Sequence, residues 1–138
     1  MDRDLATVQE IYAAFGRGDL QSILDRISPD VEWEYGQGGS DVPYLAPRRG
    51  HAGVVAFFGA LAETLRLDVF RPKDLVAGPG VVVALVDIEG VSLRTGRSIR
   101  EEDEVHVWRF DDAGKVARFR HALDTAAHAR AHAPATAP

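Results

Sequence analysis

Residues 98–124, SIREEDEVHVWRFDDAGKVARFRHALD, constrain the fold more than any other stretch of the chain. Two runs of alternating apolar residues flank Asp111-Asp112-Ala113-Gly114, and an acidic turn ending in glycine predicts a β-hairpin. Successive strand residues point to opposite faces. On the first strand Trp108 and Phe110 therefore share a face with His106 and Glu104; on the second, Phe119 and Leu123 share one with His121. A symmetric two- or four-residue loop pairs Asp112 with Lys115 or Asp111 with Val116. Counting back then sets Trp108 opposite Phe119 and His106 opposite His121, with Cβ atoms roughly 5 Å apart. A three-residue loop would send one histidine to the other face. The hairpin thus predicts two imidazoles side by side on an aromatic surface.

The remaining chain bounds the context. At 138 residues it is long enough for one core, and a net charge of −5 points to neither disorder nor a polyanionic partner. Basic residues are interspersed with acids rather than gathered in a stripe, so nucleic acid is not expected as a ligand. Without cysteine there are no disulfides, thiolate metal sites or cysteine nucleophiles. The opening MDRDLATVQE lacks a signal-peptide core and no run approaches the ~20 apolar residues of a membrane span. The expectation is a soluble, cytoplasmic protein forming one domain over 1–138.

Leu5, Val8, Ile11, Tyr12 and Phe15 recur at helical spacing, and Gly16 and Gly18 stop that helix. Asp19 predicts the N-cap of a short second helix carrying Leu20, Ile23, Leu24 and Ile27, ended by Ser28-Pro29. Asp30 to Tyr35 then alternates as a strand with Val31, Trp33 and Tyr35 on one side. Gly36 to Arg49 is a long connection holding Tyr44 and Leu45, either a lid or binding loop or a plain surface excursion. Val54, Phe57, Phe58 and Leu61 mark a third helix. Leu67 to Ala77 reads as a strand that Pro72 assigns to an edge or a bulge. Val81 to Ile88, the most apolar run, predicts a central strand. After the hairpin, Asp124 caps a short alanine-rich helix. Three helices and a strand followed by an antiparallel meander predict an α+β fold in which a curved, mixed, mainly antiparallel sheet wraps the helices.

At this point several segments resemble a known family. The order of elements, Ile11-Tyr12-Ala13-Ala14-Phe15 with Gly18-Asp19, Pro29-Asp30-Val31-Glu32-Trp33, Gly50-His51-Ala52-Gly53-Val54, and the turn Arg109 to Val116 are similar to the SnoaL-like branch of the nuclear transport factor 2-like superfamily. The resemblance implies a cone-shaped α+β barrel with an open-mouthed cavity that hosts many unrelated chemistries. It also implies dimerisation through the outer face of the sheet, where Val105 and Val107 stand. Carried over one position at a time, the base aspartate of ketosteroid isomerase falls on Tyr35, so a steroid isomerase is not implied. The oxyanion-hole aspartate of that enzyme falls on His106. The catalytic aspartate of the polyketide cyclases and of limonene epoxide hydrolase falls on His121. The hydrolase's arginine–aspartate pair falls on Leu85 and Asp87, without the arginine.

Two imidazoles in a pocket suit proton transfer, one accepting while the other donates, with Glu104 placed to orient His106 or hold it charged. The catalytic candidates are His121, His106 and Tyr35. Tyr12, Trp33, Tyr44, Phe57, Asp87, Glu104, Trp108, Phe119 and Leu123 are the expected substrate contacts around a small apolar or cyclic molecule. Neither a cofactor nor a metal is expected, since a third metal ligand is missing unless Glu104 or Asp87 turns inward. Glu101 and Asp103 are expected in solvent beside Arg109, Arg118 or Arg120. The reaction class is isomerisation, cyclisation or dehydration, against a non-catalytic binding module or an assembly role.

Overall fold

The computed structural model describes residues 2–38 and 41–134. Helices α1 (Asp2–Gly16) and α2 (Leu20–Leu24) lead into strand β1 (Ile27–Trp33). A one-turn 3₁₀ helix (Pro43–Leu45) precedes the two-residue strand β2 (Arg48–Arg49) and helix α3 (Gly50–Thr64). The chain then runs β3 (Leu65–Gly78), β4 (Val81–Ser92), β5 (Ser98–Phe110) and β6 (Val116–Ala122), and closes with α4 (Thr125–His132). The six strands form one curved sheet in the order β2-β1-β6-β5-β4-β3. Every pair is antiparallel except β1 with β6. The sheet does not close, so the expected barrel is an α+β half-cone with edges at β2 and β3.

Local signals explain most of this. Asp19 caps α2 by accepting the Ser22 N–H at 3.1 Å, and Asp124 caps α4 by accepting that of Ala127 at 3.0 Å. The second helix ends sooner than its apolar spacing predicts. Ile27 leaves it to pair with Val116, and the Arg26 carbonyl accepts the Val116 N–H at 3.0 Å. β3 lies at an edge and its register shifts between Pro72 and Asp74, so Pro72 costs no ladder bond. The apolar β4 is interior but not buried on both faces: its residues alternate strictly, with Val82, Ala84, Val86 and Ile88 inward. Of the expected long loop, residues 39 and 40 lie outside the described residues. The rest of it is partly core, because Val42, Tyr44 and Leu45 are buried.

Two register breaks decide which side chains meet inside the sheet. In the β5–β6 hairpin the Asp111 N–H donates to the Lys115 carbonyl at 2.9 Å, and Gly114 at φ 82 completes a three-residue loop. That odd loop would separate the histidines. A bulge corrects it: Phe110 pairs with Val116 but Arg109 with Arg118, leaving Ala117 extra. Two odd steps sum to an even one, so Trp108 faces Phe119 and His106 faces His121. The second break lies between β4 and β5, where Val86 pairs with Glu104 but Ile88 with Glu101. Asp103, at φ 61, is the bulged residue, and its N–H donates to Asp87 Oδ1 at 3.1 Å. Lys73 bridges both carboxylates, at 2.9 Å from Asp87 and 2.7 Å from Asp103. Beyond the bulge, parity inverts and Glu101 turns inward with Ile99.

Candidate functional site

The concave face of the sheet, α1, α3 and the 3₁₀ turn enclose a hollow of ≈ 60 Å³. Its walls are aromatic. Trp33 lies 4.3 Å from Phe119 between ring centroids and 5.4 Å from Phe57, and Trp108 lies 4.4 Å from Phe119. The polar end holds His106 and His121, whose ring centroids are 4.5 Å apart at an interplanar angle of 82°. Both are buried, at 3% and 8% exposure.

Each imidazole has a different hydrogen-bonding environment, and that sets its charge. Trp108 Nε1 can only donate, and it donates to the Tyr12 hydroxyl at 3.0 Å. The hydroxyl proton therefore goes to His106 Nδ1, at 2.7 Å. A neutral His106 then carries its proton on Nε2, which donates to Glu104 Oε1 at 3.0 Å. Burial, with repulsion from His121, holds the His106 pKa well below the ordinary 6.5, so the ring is neutral. His121 is the opposite case. Burial alone would push its pKa down, but Glu34, completely buried and bonded to His121 Nδ1, together with Glu104 and Glu101 more than offsets that and leaves it raised. His121 Nε2 faces Glu104 Oε1 at 3.4 Å. Gln37 fixes the carboxylate of the pair, donating from Nε2 to Glu34 Oε2 at 3.1 Å and to the His121 carbonyl at 2.6 Å.

Glu104 is the hub. Burial, reinforced by Glu101 and partly opposed by His121 and His128, pushes its carboxyl up to about 7. On its far side, His128 Nε2 lies 2.8 Å from Glu101 Oε1 and 3.9 Å from Glu104 Oε2. The Tyr44 hydroxyl joins His128 Nδ1 at 2.6 Å to His132 Nε2 at 2.8 Å, and His132 Nδ1 reaches Ser92 Oγ at 2.8 Å. Burial raises the pKa of both Tyr12 and Tyr44, so neither ionises near neutrality.

Most of the residues expected from the sequence meet here. His106, His121, Glu104 and Trp108 line the hollow with Phe119 and Trp33; Tyr12, Tyr44 and Phe57 complete its wall. Three do not. Tyr35 is a correction: β1 ends at Trp33, Glu34 takes a left-handed φ of 59°, and the inward position passes to Glu34. The Tyr35 ring lies instead 3.9 Å from the Arg118 guanidinium, and its hydroxyl accepts from Arg109 Nε at 3.2 Å. Asp87 is a second correction, since it sits outside the cone holding the Asp103 bulge with Lys73. Leu123 is half-buried against the main core and does not line the hollow. Glu101, expected in solvent, is the inward partner of His128, while Asp103 pairs with Lys73 rather than with an arginine.

Three residues escaped the sequence reading. Glu34 and Glu101 were hidden by the parity breaks just described. His128 carried a usable signal: with His132 it stands four apart on one helix, so both reach the same face. Glu104 does supply a third donor beside His106 and His121, their ligand atoms lying within 4.8 Å of one another. Two imidazoles and a carboxylate suit zinc or iron(II). The Trp108–Tyr12 chain, however, puts the His106 proton on Nε2, the atom that would have to bind the ion.

Residues 8–119 match the family model described as SnoaL-like domain. Among solved structures, an NTF2-like protein of unknown function from Burkholderia pseudomallei is 30% identical, with a TM-score of 0.79 over 97% of this chain and 100% of that one. An NTF2-like protein from Burkholderia xenovorans is 27% identical, with a TM-score of 0.84 over 96% and 98%. TerC, co-crystallised with polyporic acid, is 29% identical, with a TM-score of 0.73 over 94% and 98%. No curated protein matches the chain. No described helix is long and apolar enough to cross a membrane.

Proposed function

The chain belongs to the SnoaL-like domain family, and on that premise we propose that it is an acid–base enzyme acting on a small cyclic or otherwise apolar carbonyl compound. The observation that carries this reading is the buried Glu34–His121 pair at the polar end of an aromatic hollow. Glu34 fixes Nδ1, so proton exchange with a ligand is confined to Nε2. In its neutral form His121 takes a proton from the carbon beside the carbonyl and becomes imidazolium. The electron pair moves onto the carbonyl oxygen, where the Nε2–H of neutral His106, shared with Glu104 Oε1, donates to the developing oxyanion. His121 then returns the proton, to the same carbon or a conjugated one, completing an isomerisation; cyclisation and dehydration begin with the same enolate. Trp33, Phe57 and Phe119 keep water from the intermediate.

The hollow of ≈ 60 Å³ has room for roughly four to six water-sized groups, which favours a small ring unless the aromatic walls move apart. Trp33 Nε1, buried without a partner among the described residues, is a spare donor for a ligand oxygen. It also favours a second reading, retention of a ligand without turnover. We propose in addition that two copies pair through the outer face of the sheet, where Val83 faces Val107 and Leu85 faces Val105.

A panel of cyclic ketones and enones incubated in D2O tests the main reading, with deuterium uptake followed by NMR. Wild type is expected to accelerate exchange, and His121→Gln to lose about 10²–10⁴-fold of that. Exchange no faster than buffer, or unchanged by His121→Gln, overturns it. Polyporic acid, used as a probe of Trp33 and Trp108 fluorescence, reports the binding alternative: saturable quenching without exchange of any substrate supports retention.

A further inference from the structure

We propose that Glu104 is a proton bridge between two glutamate–histidine pairs, Glu34–His121 facing the hollow and Glu101–His128 facing α4, and that protons taken up by His121 leave the site through Glu101. This rests on the acid–base role of His121 proposed above.

The geometry separates the two oxygens of Glu104. Oε1 faces His106 Nε2 at 3.0 Å and His121 Nε2 at 3.4 Å. Oε2 is buried with no hydrogen-bond partner among the described residues. Glu101, Glu104 and His128 bring one ligand atom each within 4.8 Å of one another, and the Glu101 carboxylate can serve Oε2 only as an acceptor, which requires the proton of Glu104 to sit on Oε2. A carboxylic acid so placed accepts at one oxygen and releases from the other. His121 imidazolium gives its Nε2 proton to Glu104 Oε1 as the proton on Oε2 passes to the Glu101 carboxylate. Glu104 is a neutral acid before and after; His121 becomes neutral and Glu101 becomes the acid, which then loses its proton to solvent water.

Among the described residues, every other arm ends without an outlet. His106 leads to Tyr12 and then to Trp108, whose indole N–H cannot accept a proton. Glu34 is completely buried, and its further contact is the Gln37 amide, which does not titrate. Tyr44 and His132 end at Ser92. Glu101 alone on the far side reaches solvent, its side chain 13% exposed against 5% for Glu104 and 2% for His128. Two contacts hold it as a carboxylate able to accept: one oxygen takes the His128 ring at 2.8 Å and the other the Asp124 N–H at 2.7 Å. The His121 side chain is itself 10% exposed, so the route through Glu104 must carry more of its exchange than that direct contact does.

The test is NMR of protein labelled with ¹⁵N at histidine, measuring exchange of the His121 Nε2 proton with water by saturation transfer. Glu104→Gln, which cannot pass a proton between its two ends, and Glu101→Gln are each expected to slow that exchange at least tenfold. Backbone amide exchange in β5 and β6 should stay as in wild type, which a merely structural effect would not leave untouched. Unchanged His121 exchange in Glu101→Gln overturns the route, and this variant decides alone if the buried Glu104→Gln misfolds. No substrate is present, so a negative result removes the exit path and leaves the role of His121 standing, whereas failure of the deuteration assay leaves this measurement intact.

Discussion

Glu34→Gln isolates the charge on which the site depends. Gln keeps the size of the side chain and can still accept the proton of His121 Nδ1, so the buried contact survives while the negative charge does not. An opposite charge within about 4–6 Å moves a pKa by roughly 1–3 units, or ~1.4–4 kcal/mol. In wild type that attraction, with smaller contributions from Glu104 and Glu101, more than offsets burial and leaves the His121 pKa raised. Without it burial is opposed only by the weaker pull of Glu104 and Glu101, and the folded-state pKa should drop below the unfolded value of about 6.5. The stability profile then changes sign. In wild type the folded chain binds this proton more tightly than the unfolded chain does. The stabilisation is present in full below about pH 6.5 and is lost as pH rises through the raised folded value. In Glu34→Gln the contribution is present above about pH 6.5 and is lost as pH falls through the lowered folded value. Glu104, raised to about 7, also stabilises toward acid, but it does so in both proteins, and the difference between the two curves belongs chiefly to His121. Imidazole NMR titration gives the midpoint directly, and urea unfolding at pH 6 and pH 8 gives the slope. A His121 midpoint in Glu34→Gln within about 0.3 units of wild type would refute the reasoning, since charge removal at a bonded, buried partner cannot be that small.

Two other outcomes follow from single contacts. Tyr12→Phe leaves the Trp108 indole N–H and His106 Nδ1 without partners in a buried site; urea unfolding should show a loss of about 1–3 kcal/mol, and ¹⁵N shifts should show His106 no longer locked as the Nε2–H tautomer. Val107→Glu puts a charge into the outer apolar cluster opposite Val83; if two copies pair there as proposed, light scattering should report a dimer for wild type and a monomer for the variant, with the circular dichroism spectrum unchanged.

The sequence exposed what alternation and capping govern and hid what the backbone does at three residues. The hairpin, the caps at Asp19 and Asp124 and the edge position of Pro72 all follow from residue chemistry visible in a single chain. The facing histidines were reached by a count that assumed an even loop, whereas the loop is odd and Ala117 restores the parity; alanine gives no sign of a bulge. The remaining half of the site hangs on Glu34 at φ 59 and Asp103 at φ 61, the two non-glycine residues with positive φ among those described. A left-handed residue that is not glycine costs about 1–3 kcal/mol and persists only where neighbours over-determine it. Both are so held. The Glu34 N–H donates to the Phe119 carbonyl at 2.7 Å while its side chain bonds His121. The Asp103 N–H donates to Asp87, and Lys73 clamps the two carboxylates together. Each break turns a carboxylate from solvent into the cone, Glu34 beside His121 and Glu101 beside His128. Asp87 and Lys73 thus act on the site from outside the sheet: they stabilise the bulge that aims Glu101, so the strain they hold is what supplies the second glutamate–histidine pair.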